Sequence, residues 1–239
     1  MSPEPRGVAV VSGGGSGIGR EIALALARRG HPLALLGRRQ ALLEQTLSEA
    51  GGDGLDGLAW VCDVRDAEAV AAAAREIERR WGSATLVVPA AGLAAIAPLE
   101  ETPPDRFRDV LATNLTGTFL LLHALLPGMK RRGSGWIFPI LSTAAQRGFP
   151  GWSAYCASKW GLAGLVAALR EELRGSGVRV TALYPGATDS PLWDGLPGDW
   201  NRALMVPSRE VARAVITALE SDPAALIEEI HLGPVGGAL

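Results

Sequence analysis

The sequence VAVVSGGGSGIG at residues 8–19 joins a short apolar run to a glycine-rich turn. Residues 8–11 are all apolar, which predicts a strand buried on both faces of a sheet. The turn opens a predicted helix over residues 17–29, ended by Gly30. Glycines let a backbone approach a pyrophosphate closely, and a helix N-terminus offers it free N–H groups. The stretch therefore predicts a phosphate-binding turn; the alternative is a flexible turn in a glycine-rich chain. Its candidate cofactor residues are Gly13, Gly15, Ser16, Gly17, Ile18 and Gly19.

Short apolar runs alternate with longer amphipathic ones along the rest of the chain. Further strands are predicted at residues 33–36, 58–62, 86–88, 137–141, 178–183 and 227–232. Helices are predicted at 40–50, from an N-cap at Asp66 to 81, at 103–132 with a break near Pro127, at 153–174, and from a capping Ser208 to 220. This order predicts an α/β fold, a doubly wound parallel sheet (Rossmann fold) of about seven strands with helices on both faces. We expect one domain over residues 1–239, with a substrate lid at about 185–207.

Composition excludes several other classes. Of 239 residues 48% are hydrophobic and the net charge is −2, so neither a small core nor a nucleic-acid-binding surface is expected. No apolar run is long enough to span a bilayer without interruption, and the N-terminus lacks the pattern of a signal peptide, so no membrane partner is expected. Cys62 and Cys156 are far apart. Their spacing favours a reducing, cytoplasmic setting without disulfides or a metal site.

The end of the second predicted strand bears on the choice of cofactor. A carboxylate there would bind the adenosine ribose hydroxyls and repel a 2′-phosphate. This chain has Leu36-Gly37-Arg38-Arg39 at that place. Two guanidinium groups suit a phosphate, which favours NADP(H) over NAD(H). The alternative is that Arg38 and Arg39 are solvated charges at the start of a helix.

Tyr155 and Lys159 begin a predicted helix and share one of its faces, because they are four residues apart. A free phenol has a pKa of about 10, and a nearby cation lowers that value. A phenol tuned in this way can exchange a proton with a carbonyl or alcohol as a hydride moves. The pair therefore predicts acid–base catalysis; the alternative is an ordinary helix in which the pair has no role.

From about residue 7 to the C-terminus the chain resembles the single-domain short-chain dehydrogenases/reductases, and the motifs follow the family's order. Residues 12–19 are similar to its TGxxxGIG turn, with serine for threonine, and Tyr155 and Lys159 complete its YxxxK motif. Asn114 stands at the place of its catalytic asparagine. Ser142, thirteen residues before Tyr155, stands at the place of its catalytic serine.

The resemblance implies roles for these four catalytic candidates. Ser142 would hydrogen-bond the substrate oxygen and Tyr155 would exchange the proton. Lys159 would hold the nicotinamide ribose and lower the tyrosine pKa, and Asn114 would keep a water in a proton relay. As alternatives, Ser142 could only cap a turn, and Asn114 could only satisfy buried backbone groups.

The resemblance also implies further cofactor contacts. Asp63 and Val64 would meet the adenine ring, although Asp63 could instead be a turn former. The chain departs from the family where Pro89-Ala90-Ala91-Gly92 replaces Asn-Asn-Ala-Gly, which removes hydrogen bonds between the central strands. Pro139 also removes a backbone donor from the fifth predicted strand. The remaining candidate cofactor residues are Ala91, Gly92, Tyr155, Lys159, Pro185, Gly186, Thr188 and Ser190.

Six large side chains follow Ser142 and Pro185 and could line a substrate pocket: Phe149, Trp152, Trp193, Leu196, Trp200 and Met205. They favour an apolar or aromatic substrate, unless they only bury the lid or a subunit contact. Residues 130–132 are basic and could attract an acidic carrier protein, or could only complement a helix dipole. The resemblance implies a homodimer or homotetramer built on the long helices.

Three functions remain open. The leading one is an NADP(H)-dependent carbonyl reductase or alcohol dehydrogenase. The others are a non-catalytic NAD(P)-binding regulatory protein on the same fold, and an unrelated nucleotide-binding domain.

Overall fold

A six-stranded parallel sheet forms the centre of the computed structural model, which describes residues 6–222 and 224–237. Its order is β3-β2-β1-β4-β5-β6. The chain starts in the middle, moves to one edge and then to the other, which confirms the doubly wound topology. The strands are β1 (Ala9–Ser12), β2 (Leu33–Gly37), β3 (Gly57–Val61), β4 (Leu86–Pro89), β5 (Gly135–Ile137) and β6 (Val178–Val180).

Helices cover both faces of this sheet: α1 (Gly17–Ala27), α2 (Gln40–Ala50), α3 (Ala67–Trp81), α4 (Pro104–Leu111), α5 (Gly117–Arg132), α6 (Ser153–Glu172) and α7 (Ser208–Leu219). Val8 and Val10 pack into the core under α3, α5 and α6. Ala9 and Val11 pack into the opposite core, under α1 and α7. Because successive side chains of a strand point to opposite faces, a strand covered on both sides has to be apolar throughout.

The count of about seven strands in one sheet needs correction. The predicted strand at 178–183 divides at Thr181 into β6 and β7 (Ala182–Pro185). The last strand, β10 (Glu229–Leu232), pairs in parallel with β7 as a separate two-stranded ladder. Thr181 donates its hydroxyl to Ile227 O (2.6 Å), which ties this division to the segment entering β10.

The fifth strand is displaced from its predicted place at 137–141. It pairs as a strand only over Gly135–Ile137, and the later residues make a single bridge, Ile140 to Leu183. Pro139 explains the difference, because it has no N–H to give to the ladder.

The predicted break near Pro127 is wrong, since α5 continues through it. Pro127 leaves the carbonyl of His123 without its helical donor, but both residues are exposed and water can satisfy that carbonyl. The irregularity lies instead at Ala112–Thr116, a π-helical turn between α4 and α5 that contains Asn114.

Contrary to the sequence expectation, one helical stretch, Pro104–Arg132, is long and apolar enough to cross a membrane by length and composition. The core helix of a soluble protein passes the same test. Leu121, Leu125 and Met129 of this stretch are buried in the core under the sheet.

Residues 185–207 have more structure than the predicted irregular lid. They form β8 (Thr188–Asp189) and β9 (Val206–Pro207), which pair in parallel, and two 3₁₀ turns between them. The predicted cap at Ser208 is wrong, because Pro207 occupies the N-cap position. The Ser208 hydroxyl instead donates to Asp189 O and fastens the start of α7 to β8.

Candidate functional site

A cavity of about 1160 Å³ opens at the carboxyl ends of the central strands. Ligands of open α/β sheets bind at this edge, where the strand order reverses between β1 and β4. All the candidate catalytic and cofactor residues predicted from the sequence line it except Asn114. The fold therefore gathers into one place residues that are spread over more than half of the chain.

The glycine-rich turn lies against the segment that follows β4. A Cβ on Gly13, whose φ is +69°, would come within 2.9 Å of Ala91 N, and one on Gly19 within 2.5 Å of Gly13 O. The hydroxyl of Ser12 accepts hydrogen bonds of 3.2 Å from the N–H groups of Ala90 and Ala91. Ser12 thus ties β1 to the segment in which the family's amide side chains are missing. The tight turn leaves a cradle of bare backbone that fits a pyrophosphate.

Arg38 and Arg39 line the cavity at the end of β2. Arg39 donates to the hydroxyl of Ser16 (3.2 Å), which brings its guanidinium group to the glycine-rich turn. The donor set at this end of the cavity therefore fits a cofactor with a phosphate beside its adenosine ribose.

Asp63 is held by a residue that the sequence did not single out. Arg65 donates to Oδ2 of Asp63 at 2.8 Å and to its Oδ1 at 3.1 Å, and also binds Asp109 of α4 at 2.9 Å. The hydrogen bonds from Arg65 hold the pKa of Asp63 below its ordinary value. Because Asp109 lies 44 residues further along the chain, local spacing gave no signal of this contact.

Tyr155, Lys159 and Ser142 meet at the inner end of the cavity, where all three are buried. Lys159 Nζ donates to Ile140 O (2.7 Å) and lies 5.6 Å from the centre of the Tyr155 ring. The Ser142 hydroxyl accepts a hydrogen bond from Ala144 N (3.1 Å). It also forms a hydrogen bond with the Tyr155 hydroxyl. Ser142 therefore caps a turn and faces Tyr155 at the same time, so the two interpretations do not exclude each other.

Burial is the main cause of the shifted pKa values of Tyr155 and Lys159. It raises the pKa of Tyr155 to about 12, while the hydrogen bond with Ser142 acts in the opposite direction. It also lowers the pKa of Lys159 to about 8. Burial thus outweighs the lowering of the tyrosine pKa that was expected from Lys159. The phenol is protonated at neutral pH and can give a proton.

Asn114 does not line the cavity, and its side chain is fully used within the protein. Oδ1 accepts from Leu93 N (2.8 Å), and Nδ2 donates to Leu93 O and to Ser158 Oγ (2.9 Å each). These bonds support the alternative that Asn114 satisfies buried backbone groups. They hold the segment after β4 against the helix that carries Tyr155.

Aromatic rings cover the entrance above Tyr155. The Trp152 ring centre lies 5.5 Å from that of Tyr155 and 5.7 Å from that of Trp193. Trp193 in turn lies 4.9 Å from Trp200. Phe149 and Leu196 also line the cavity, as predicted, whereas Met205 is buried outside it. Met205 directly precedes β9, which pairs with β8.

Several lining residues were missed. Gly233, Pro234 and Gly237 belong to the segment after β10, and the rule that segments after parallel strands meet at one edge could have found them. Arg106, Arg147 and Asp194 also line the cavity, but no sequence motif marks them.

Comparison with known proteins identifies the family of this chain. The model of the short chain dehydrogenase family matches residues 7–199. A sepiapterin reductase from Chlorobaculum tepidum is 36% identical over 237 residues, which cover 96% of this chain and 97% of the relative. A D-threitol dehydrogenase from Mycolicibacterium smegmatis is 37% identical over 239 residues, or 96% and 92% of the two chains. The solved structure of an alcohol dehydrogenase from the archaeon Thermococcus sibiricus, complexed with 5-hydroxy-NADP, matches with a TM-score of 0.89 at 32% identity, and covers 96% and 97%.

Proposed function

The chain belongs to the short-chain dehydrogenase family and is an oxidoreductase acting on CH–OH or C=O groups, and from that premise we propose that it interconverts a ketone or aldehyde and its alcohol with NADP(H), using Tyr155 as general acid and base. The observation that carries the proposal is the meeting of Tyr155, Ser142 and Lys159 at the inner end of the cavity. The glycine-rich cradle lies in the same cavity.

In this proposal the chain's own residues position the substrate and move its proton. The nicotinamide cofactor, when bound, supplies or accepts the hydride. Ser142 donates a hydrogen bond to the substrate oxygen and stabilises the charge that develops there. Tyr155, protonated at neutral pH, gives its proton to that oxygen during reduction and takes it back during oxidation. Lys159, which Ile140 O holds in place, binds the nicotinamide ribose. Asn114 keeps the segment after β4 in position through its bonds to Leu93.

A preference for NADP(H) follows from the end of β2. Arg38 and Arg39 line the cavity there, and neither makes an ion pair with a described residue. Their guanidinium groups suit a 2′-phosphate. The Thermococcus sibiricus relative is complexed with 5-hydroxy-NADP. Asp63 and Val64 then form the adenine end of the site, and Pro185, Gly186, Thr188 and Ser190 its nicotinamide end.

The substrate in this proposal is apolar or aromatic where it meets the entrance. Trp152, Trp193 and Trp200 form most of the wall there. These rings stand at steep angles to one another and together give an apolar wall, which suits an apolar or aromatic body better than a hydrated one. Residues 185–207 act as the lid over it.

We also propose a cytoplasmic homodimer or homotetramer. Phe119 of α5 and Trp160 of α6 are about half exposed, at 46% and 53%. They lie on the long helices next to the site, and large apolar side chains exposed on neighbouring helices favour a subunit contact.

Tyr155→Phe tests the function. We expect reduction of a panel of ketones and aldehydes, followed by NADPH absorbance, to fall about 100-fold or more, while NADPH binding persists. Tyr184→Phe is the matched control, because Tyr184 is the other tyrosine and lies on β7, outside the cavity lining. Wild-type turnover by Tyr155→Phe would overturn the catalytic assignment.

A further inference from the structure

Each carboxylate that lines the described part of the cavity is paired with an arginine. Only three acidic residues occur among the described lining residues: Asp63, Asp109 and Asp194. Arg65 binds the first two, at 2.8 and 2.9 Å, and Arg202 binds Asp194 at 2.7 Å. Arg65 is shared by two acids and Arg202 also binds Asp189, so these ion pairs offset only part of the negative charge. The described lining nevertheless holds five arginines and Lys159 against the three acids, so its net charge is positive.

Four other lining arginines make no ion pair within the described part of the chain: Arg38, Arg39, Arg106 and Arg147. The first two lie at the proposed phosphate end of the cofactor. Arg106 and Arg147 lie away from the proposed phosphate end, so binding of the cofactor phosphate does not explain their positive charges in the cavity lining.

Contacts place Arg106 and Arg147 beside the reacting end. Arg106 donates to Ala94 O (3.2 Å), and Ala94 packs with Tyr155 in one apolar cluster. The Arg147 guanidinium lies over the ring of Phe149, 4.9 Å from its centre, and Phe149 packs against the same cluster. A guanidinium stacked on a ring keeps its edge N–H groups directed outward, where a planar anion can accept two of them.

We propose that the physiological substrate carries an anionic group, a carboxylate or a phosphate, on an apolar or aromatic body, and that Arg106 and Arg147 bind this anion. The inference rests on the proposed function, because Tyr155 defines the reacting end. The body lies against Trp152 and Trp193, and the anion extends toward the two arginines. Unneutralised cations lining a cleft also raise the local concentration of an anionic substrate.

Matched ketones test the proposal in the NADPH-loaded enzyme. The probes are para-acetylbenzoate, its neutral methyl ester and para-acetylphenyl phosphate, which share an aryl ketone and differ in the charged group. We expect kcat/KM for at least one anion to exceed that for the ester by about tenfold or more, as charge-assisted hydrogen bonds to two arginines would give. Whichever of the two anions has the higher kcat/KM shows whether the site prefers a carboxylate or a phosphate.

Arg106→Gln and Arg147→Gln complete the test. Each variant should lower the anion-to-ester ratio of kcat/KM several-fold, whereas Arg209→Gln, on the exposed surface of α7, should keep the wild-type ratio. Circular dichroism checks that each variant is folded. Equal use of anions and ester by the wild type, or an unchanged ratio in both variants, overturns the proposal.

Binding separates this proposal from the proposed function. Quenching of tryptophan fluorescence by para-acetylbenzoate measures binding without any turnover, because three of the seven tryptophans, Trp152, Trp193 and Trp200, line the cavity. Arginine-dependent binding of the anion in a protein that reduces none of the ketones would support the anion site and contradict the reductase assignment. If the wild type and every variant reduced the anions and the ester at the same rate, the reductase assignment would be supported and the anion site contradicted.

Discussion

The amide of Asn114 donates a 2.9 Å hydrogen bond to the hydroxyl of Ser158, and this hydroxyl donates to the carbonyl oxygen of Tyr155 at 2.7 Å. The π-helical turn before α5 is thereby joined to the first turn of α6. The other bonds of Asn114 go to the backbone of Leu93, after β4. One buried amide thus connects three segments around the candidate active site.

We expect Asn114→Ala to lower the free energy of unfolding by about 2 kcal/mol, because it leaves the partly buried N–H and carbonyl of Leu93 without their partners. Ser158→Ala should cost about 1 kcal/mol, since Asn114 keeps both bonds to Leu93. Urea unfolding followed by circular dichroism measures both. If Asn114→Ala unfolded at the wild-type urea concentration, the amide would not be holding these segments together.

Gly19→Ala should abolish tight NADPH binding. The added Cβ would lie 2.5 Å from Gly13 O, a backbone atom, so the phosphate-binding turn has to move. Gly164→Ala is the control, because its Cβ meets nothing within 4 Å on α6 and should stabilise the helix by about 0.5–1 kcal/mol. Titration of NADPH by fluorescence compares the two. Equal affinity in both variants would show that the turn tolerates a side chain.

Local patterns predicted the fold, and nearly all of the site residues that they indicated line the cavity. A strand covered on both faces has to be apolar, and this constraint is visible in residues 8–11 alone. The glycine-rich turn, the arginines after β2 and the pair Tyr155 and Lys159 are each contiguous or one helical turn apart. Because they follow the carboxyl ends of parallel strands or begin the helices after them, the topology brings them together.

Features that depend on distant partners could not be predicted. The irregular turn lies at Asn114 and not at Pro127, because Leu93 and Ser158 bind the Asn114 side chain. The ion pairs of Arg65 with Asp109 and of Arg202 with Asp194 also join residues that are not neighbours in the sequence. Burial also determines the pKa of Tyr155, and no spacing of residues reports burial.

Arg38→Ala should weaken NADPH binding about tenfold or more and leave NADH binding nearly unchanged, because only NADPH has the 2′-phosphate. Arg39→Ala should weaken both cofactors, since Arg39 also binds Ser16 of the glycine-rich turn. Arg28→Ala, exposed after α1, is the control. Calorimetric titration gives the dissociation constants. Equal weakening of both cofactors by Arg38→Ala would remove its phosphate role.

Arg202 holds together the segment proposed as the lid, since it binds Asp189 of β8 at 2.5 Å, Asp194 at 2.7 Å and Ser190 O at 3.0 Å. Two exposed ion pairs and a hydrogen bond together stabilise the closed arrangement modestly, so Arg202→Ala should raise the substrate KM about tenfold. Limited proteolysis should cut residues 185–207 faster. Arg209→Ala is the control for charge. Unchanged KM and unchanged cleavage would show that the lid is held by its tryptophans alone.

Lys159 should give the protein a stability that rises with pH. Its pKa is about 8 in the folded protein, against an ordinary value of 10.5. Between these two values the unfolded chain binds more protons than the folded one, so deprotonation favours folding as the pH increases.

Relative to Lys159→Met, which has no charge to bury, the wild type should gain about 2 kcal/mol of unfolding free energy from pH 7 to pH 10. Burial raises the pKa of Cys62 from 9.0 to about 11, which lowers the stability of both proteins equally above pH 9 and cancels in this difference. Tyr155 acts in the opposite direction only above its ordinary pKa of 10.0, because burial raises that pKa to about 12. Measurements therefore stop at pH 10. Urea unfolding of the wild type, Lys159→Met and the exposed control Lys130→Met gives the three curves. Parallel curves for the wild type and Lys159→Met would mean that Lys159 keeps its charge at little cost, stabilised by Ile140 O.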